Sequence, residues 1–396
     1  MKRTLIYGLL IFLFFALLFF AKPKNSDNEI VFLTLQMGDF KEYIINIIDE
    51  YEKTHDVKIK WVDVPFSEGE KRTLSAMLSD NPPDLINLNP DFSSLLAERG
   101  ALTFIERSKL VDFSDEIVNS MTYNGQVYAI PWYATSAITF CNKKYSNKIP
   151  KTFDDLSKIA EDLNGVYVYM PTITENDTML KILNKYGINS YKNINSKDSV
   201  KVFKMFKDLY VSGKVPKESV TQTHREALEK YMSGQTVYFQ GGANFLNMVR
   251  DNAPDVYKNT DIAPQIKGSL GQNDFSLMNF VIPYKSRHKE QALDFGLFLT
   301  NEENQLELAR LTNVIATNKT ALKNEFYNKH DTLIEKARSV SAKQLENVNP
   351  VVKQQRNQKE VNLLINTAVE NILINGADIQ KTLDDVSKKW EQLSEK

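Results

Sequence analysis

Seven polar side chains stand where three short apolar runs give way to helical patterns: Gln36, Asp39, Ser67, Glu68, Asn87, Asn89 and Asp91. Carboxylates, amides and hydroxyls grouped at the carboxyl ends of strands can hold a small polar solute by hydrogen bonds. Glu68 with Asp91 could also act as acid and base on a glycosidic bond, which requires a fixed separation that no sequence supplies. Other chemistries lack their parts. The four histidines, His55, His224, His288 and His330, are dispersed and form no HExxH zinc helix. Cys141 is the only cysteine, so no internal disulfide, zinc cluster or iron–sulfur cluster can be built, and within an apolar run it reads as a small core residue. There is no GxGxxG or GxxxxGK[ST] phosphate cradle. Gly268-Ser269-Leu270-Gly271 falls one residue short of a nucleophile elbow. No catalytic residue, metal site or cofactor site is expected from these residues.

The elements that must position these groups repeat as a strand–helix unit. Glu29 to Leu35 is β-branched and apolar, and Asp39 with Glu42 fits a capping box opening a helix with Tyr43, Ile44, Ile47, Ile48 and Tyr51 inside. Val57 to Val64 alternates like a strand, and Ser67 with Glu70 suggests a second capping box. Asp84 to Leu88 is a third short strand, Asp91 is placed to cap the next helix, and Gly100 to end it. Such repetition predicts an α/β fold with parallel sheet. Capping and ligand binding compete as readings of Asp39, Ser67 and Asp91, and one residue can do both.

The chain has 396 residues, 42% hydrophobic and 25% charged, which suits two domains. A formal net charge of −1 gives no case for nucleic acid or an acidic membrane surface. Met1-Lys2-Arg3 precedes an apolar run from Leu5 to Ala21 that Lys22-Pro23-Lys24 closes, the pattern of a signal peptide or N-terminal anchor over residues 1–28. Ala21 could precede a cleavage point, although Phe19 stands where a small residue is preferred. The remainder is expected outside the cytoplasm, in a periplasm or on the outer face of the membrane. Further helices are predicted near 176–186, 198–212 and 224–233, and short strands at Val166 to Met170, Val237 to Gln240 and Phe280 to Pro283. A stripe of Val361, Leu364, Ile365, Ala368, Val369 and Ile372 marks a C-terminal helix.

Five stretches, in order, resemble the extracytoplasmic solute-binding proteins of ABC transporters, in the sugar-binding group that includes maltose- and glycerol-phosphate-binding proteins. They are NPPDLINLNPDFSSLLAERGAL (81–102), NGQVYAIPWYATSAITFCNKKY (124–145), KTFDDLSKIAEDL (151–163), MSGQTVYFQGGANF (232–245) and VIPYKSRHKEQALDFGLFLTNEENQLELA (281–309). The resemblance implies a two-lobed periplasmic-binding-protein fold, each lobe a mostly parallel sheet flanked by helices, joined by hinge crossings. One lobe would hold 29–134 with 280–325, the other 135–279 with 326–396. It departs from the family in having no lipid-anchor cysteine and in carrying Asn313-Val314-Ile315-Ala316 where a proline-containing segment is frequent.

The resemblance adds Trp132, Tyr133, Thr135, Thr172, Gln240, Asn244 and Phe245 to the ligand-binding candidates Gln36, Asp39, Glu68, Asn89 and Asp91. Aromatic faces suit the C–H face of a sugar, and amides and carboxylates its hydroxyls. An anionic polyol such as glycerol phosphate would call for Arg or Lys, which the set lacks. The implied function is capture of a mono- or oligosaccharide in the interlobe cleft, by a monomer that delivers it to an ABC permease. The alternatives are an anionic polyol, a non-transport sensor or adhesin, and a glycosidase. Trp132 is expected to be the stacking platform, its loss weakening sugar binding roughly tenfold and leaving the unfolding of the free protein nearly unchanged.

Overall fold

A computed structural model describes residues 28–35, 37–175, 177–312, 314–347 and 357–395. The expected signal or anchor segment up to residue 27 and the candidate Gln36 lie outside the described residues. By Cα proximity the described chain divides into two compact units, one running to Ile86 and including Ile282–Gly296, the other Asn87–Val281 with Leu297 onward.

The first unit is the strand–helix repeat. Strand β1 (Glu29–Leu35) pairs in parallel with β2 (Lys58–Val64), Glu29 opposite Lys58 and Leu35 opposite Val64. Helix α1 (Lys41–Thr54) joins them and buries Tyr43, Ile44, Ile47, Ile48 and Tyr51, the stripe its spacing predicts. Helix α2 (Phe66–Leu78) leads from β2 to β3 (Leu85–Leu88), which pairs in parallel with β1 at Phe32–Leu85. Phe32 meets Phe295 edge-on at 5.3 Å, and the Tyr51 hydroxyl donates to Asp294 at 2.7 Å.

Two helices start at residues other than the capping patterns predict. Helix α1 starts at Lys41 after a 3-10 turn, Gly38–Phe40, with Phe40 at the cap and no side-chain cap bond. Helix α2 takes Pro65 as its cap, so Ser67 falls inside the first turn. Helix α3 (Pro90–Glu98), in the second unit, is capped by Asn89 rather than Asp91, the Phe92 N–H donating to Asn89 Oδ1 at 2.8 Å. Pro90 explains the shift: its fixed φ and missing N–H suit the first helical position, which leaves Asn89 as the cap.

The second unit carries two sets of strands. Strand β4 (Ile130–Thr135) leads after two residues into β5 (Ile138–Asn142). Helices α4 (Lys197–Val211) and α5 (His224–Met232) precede β6 (Tyr238–Gly241), and α6 (Phe245–Asn252) precedes β7 (Thr260–Pro264). Strands β8 (Ser276–Val281) and β9 (Ile315–Ala316) both run antiparallel to β4. The β4–β8 register places Tyr133 opposite Met278 and Pro131 opposite Asn279, leaving Trp132 as the extra residue of a bulge. Strand β5 is antiparallel to both β6 and β7. The expectation of mostly parallel sheets therefore fits β1–β3 and not the three-stranded sheet of β5. The expected strand Val166 to Met170 contributes a parallel bridge there instead, Tyr167 to Thr236.

Helices α7 (Leu333–Lys343), α8 (Gln358–Leu373) and α9 (Ile379–Ser394) complete the unit. Val361, Ile365, Val369 and Trp390 join Phe203 and Phe206 of α4 in one buried cluster, as the C-terminal stripe predicts.

The β4–β5 connection is tied by buried amides. Gln344 donates through Nε2 to Ser136 Oγ (3.0 Å) and the Ala137 carbonyl (2.9 Å), and its Oε1 accepts from the Gln265 N–H (2.7 Å). Gln265 Nε2 donates to Ser136 Oγ (3.1 Å), and its Oε1 accepts from Lys185 Nζ (2.7 Å). Lys185, 5% exposed, also pairs with Asp274 at 2.9 Å. Burial pulls its ammonium below the usual lysine range, against the opposing pull of Asp274.

Candidate functional site

In the first unit the turn after β1 is organised by Asp63. Its Oδ1 accepts from Thr34 Oγ1 (2.6 Å) and from the Met37 N–H (3.0 Å), while Trp61 Nε1 donates to Thr34 Oγ1 (2.7 Å). Asp39 lies in the following 3-10 turn, and only its backbone is described. Glu68 is exposed in the first turn of α2 and pairs with Arg72 at 2.5 Å.

In the second unit Asn89 spends its side-chain oxygen on the α3 cap, and only the backbone of Asp91 is described. Trp132 is 1% exposed, stacked on Phe280 at 4.6 Å and edge-on to Tyr133 at 4.9 Å. Its indole N–H is buried with no partner among the described residues. Truncating this ring would remove core packing, so the expectation of unchanged stability does not survive. Tyr133 is half-buried, and burial pushes its phenol up to about 12. Thr135 is exposed at the end of β4.

Gln240, Asn244 and Phe245 follow one another at the end of β6, and Thr172 opens a separate turn. Thr172 has φ +43°, an uncommon conformation for a β-branched residue, and is 4% exposed. The turn it opens is pinned from several sides. The Glu175 N–H donates to the Thr172 carbonyl (3.1 Å), and the Ile173 N–H to the Ser219 carbonyl (2.8 Å). Asn366 of α8 donates to the Thr174 carbonyl (2.8 Å), and Thr174 Oγ1 donates to the Val220 carbonyl. Gln240 acts as a strut, its Oε1 accepting from the Ile266 N–H (2.9 Å) and its Nε2 donating to Tyr169 Oη (3.4 Å).

Beyond β6 the chain turns through Gly241-Gly242-Ala243-Asn244 into α6, where Phe245 is the first helical residue. A Cβ on Gly241 would lie 2.6 Å from Phe239 and 3.0 Å from Phe245, so only glycine lets those rings close over the backbone. Phe245 is half-buried and Asn244 exposed. Two neighbours were not foreseen. The Glu175 carboxylate accepts from the backbone N–H of His224 at 2.5 Å, and the His224 ring lies 5.5 Å from that of Phe245. These contacts join the Thr172 turn to the Asn244–Phe245 corner.

The family model for bacterial extracellular solute-binding proteins matches residues 46–334. A maltodextrin-binding protein of Bacillus subtilis is 33% identical over 144 residues, which span 35% of this chain and 34% of that protein. A diacetylchitobiose-binding protein of Streptomyces coelicolor is 22% identical, over 63% of this chain and 59% of its own. The chain thus matches about a third to three-fifths of the length of these two relatives. Among solved structures, a candidate oligosaccharide periplasmic-binding protein from Synechococcus sp. superposes with TM-score 0.82 at 25% identity, covering 92% of this chain and 99% of the other. A maltose-bound protein of Listeria monocytogenes gives TM-score 0.76 at 19% identity, covering 93% and 98%. The fold is thus the α/β, two-lobed periplasmic-binding-protein fold that the sequence resemblance implies.

Proposed function

Because the chain belongs to the bacterial extracellular solute-binding proteins, a family of binding proteins rather than enzymes, we propose that it captures a neutral mono- or oligosaccharide and hands it to an ABC permease. The observation that carries this reading is the corner where the half-buried Phe245 ring lies 5.5 Å from the His224 ring, directly after the exposed Asn244. An aromatic face with polar neighbours suits a pyranose. Relatives named for maltodextrin and diacetylchitobiose support a sugar over an anionic polyol. Gln36, Asp39, Glu68, Asn89, Asp91, Tyr133, Thr135 and Gln240 remain in the proposed contact set, with Asn89 and Gln240 also serving the fold through the bonds described above, whereas Trp132, 1% exposed against Phe280, is read as core.

In this reading 29–134 with 280–325 and 135–279 with 326–396 act as the two lobes, and ligand selects the closed form because only that form makes both sets of contacts. The protein works as a monomer, exported by residues 1–28 and either freed or tethered by them.

A thermal-shift screen of the full chain tests the proposal. A sugar held only by the native state, at a hundred times its Kd, adds about 2.7 kcal/mol to unfolding and raises the melting point by several degrees. A rise with sugar phosphates and none with any neutral sugar would overturn it.

A further inference from the structure

His224 belongs to no metal or catalytic motif. It is the first residue of α5, just after the cap residue Thr223, whose N–H and hydroxyl donate to Glu226. The Glu175 carboxylate holds the backbone N–H of His224 itself. The ring lies between two aromatic side chains of different exposure, 5.0 Å from the buried Phe239 and 5.5 Å from the half-buried Phe245. Among the described residues neither imidazole nitrogen has a hydrogen-bond partner, and neither is sealed from solvent. Burial lowers the tendency of the ring to protonate, so it presents one N–H donor and one lone pair. Both nitrogens are therefore open to a polar partner from outside, which water supplies until a ligand replaces it.

We propose that His224 is a ligand-binding residue, whose imidazole hydrogen-bonds a hydroxyl at the edge of a neutral pyranose while Phe245 takes the adjoining C–H face. A sugar hydroxyl both donates and accepts, as the imidazole does, and the Phe245 ring 5.5 Å away supplies an apolar face next to it. Asn244 directly precedes Phe245, and Glu175 ties the Thr172 turn to the His224 backbone. The assignment rests on the sugar-binding reading above and adds to it a residue that discriminates between sugars by the placement of one hydroxyl.

The test uses the full chain and whichever neutral sugar gives the largest thermal shift. His224→Phe keeps the ring packing and removes both polar atoms. It is expected to weaken binding roughly tenfold, the loss of one hydrogen bond, while the melting point of the free protein stays unchanged. His224→Gln, which retains a donor and an acceptor, is expected to recover part of the affinity. In the wild type, the imidazole 15N resonances of His224 are expected to move when sugar is added, a readout that needs no variant to fold. Unaltered affinity in His224→Phe, or resonances that stay in place while sugar binds, would overturn the assignment and leave sugar capture standing. A wild type that binds no neutral sugar would overturn both.

Discussion

Trp132 shows how a residue can be well placed in sequence and still differ in role from the first reading. Following Pro131 at a strand that crosses between sheets, it looked like an exposed platform. The structure instead inserts it as the extra residue of a bulge, 1% exposed and stacked on Phe280. Trp132→Ala is therefore expected to cost about 3–5 kcal/mol of stability, measured by urea unfolding. Trp132→Phe, which removes the unpaired N–H and keeps a ring on Phe280, is expected to cost less than about 1.5 kcal/mol. Equal, small losses for both would mean that the indole is not part of the core. Composition revealed that aromatics abound here but not which are covered, because burial depends on the bulge, and the bulge depends on a register between β4 and β8 that no local pattern encodes. For His224 the sequence offers one local signal besides the absent zinc motif: it directly follows the cap residue Thr223, where the helix start fixes its backbone.

At the scale of elements, the helical stripes of α1 and α8 were legible because apolar spacing is a local property. Caps were less so. Asp39, Ser67 and Asp91 each fit a capping pattern, yet the helix starts were set by the neighbouring prolines at α2 and α3 and by a 3-10 turn at α1. The antiparallel pairing of β5 was illegible, since strand–helix repetition in the first unit was carried over to a segment where partners come from residues about a hundred positions away. The amide knot behind β5 is equally non-local, joining Ser136, Gln265 and Gln344. Gln344, 4% exposed, satisfies a backbone N–H, a hydroxyl and a carbonyl at once. Gln344→Ala takes this partner from the Gln265 N–H and the Ala137 carbonyl, leaves Ser136 its bond from Gln265, and is expected to destabilise the protein by about 2–4 kcal/mol in urea unfolding. A loss below about 0.5 kcal/mol would show that water replaces the knot at little cost.

Across the whole molecule, the family and the fold were legible from five ordered stretches, none of them diagnostic alone. The positions of the lobe boundaries were read from the same stretches, whereas Cα proximity divides the described chain at Ile86 and around Ile282–Gly296. Where a chain crosses between sheets and where it is most densely packed are different properties, and only the first concerns ligand capture. The most direct measurement is a calorimetric titration of the full chain with maltodextrins, diacetylchitobiose, galacto-oligosaccharides and glycerol phosphate. One neutral sugar is expected to bind one-to-one with a Kd in the micromolar range or below and to be recovered uncleaved, while glycerol phosphate gives no heat of binding. Heat from glycerol phosphate alone, or a cleaved sugar in the cell, would contradict capture of a neutral sugar without chemistry.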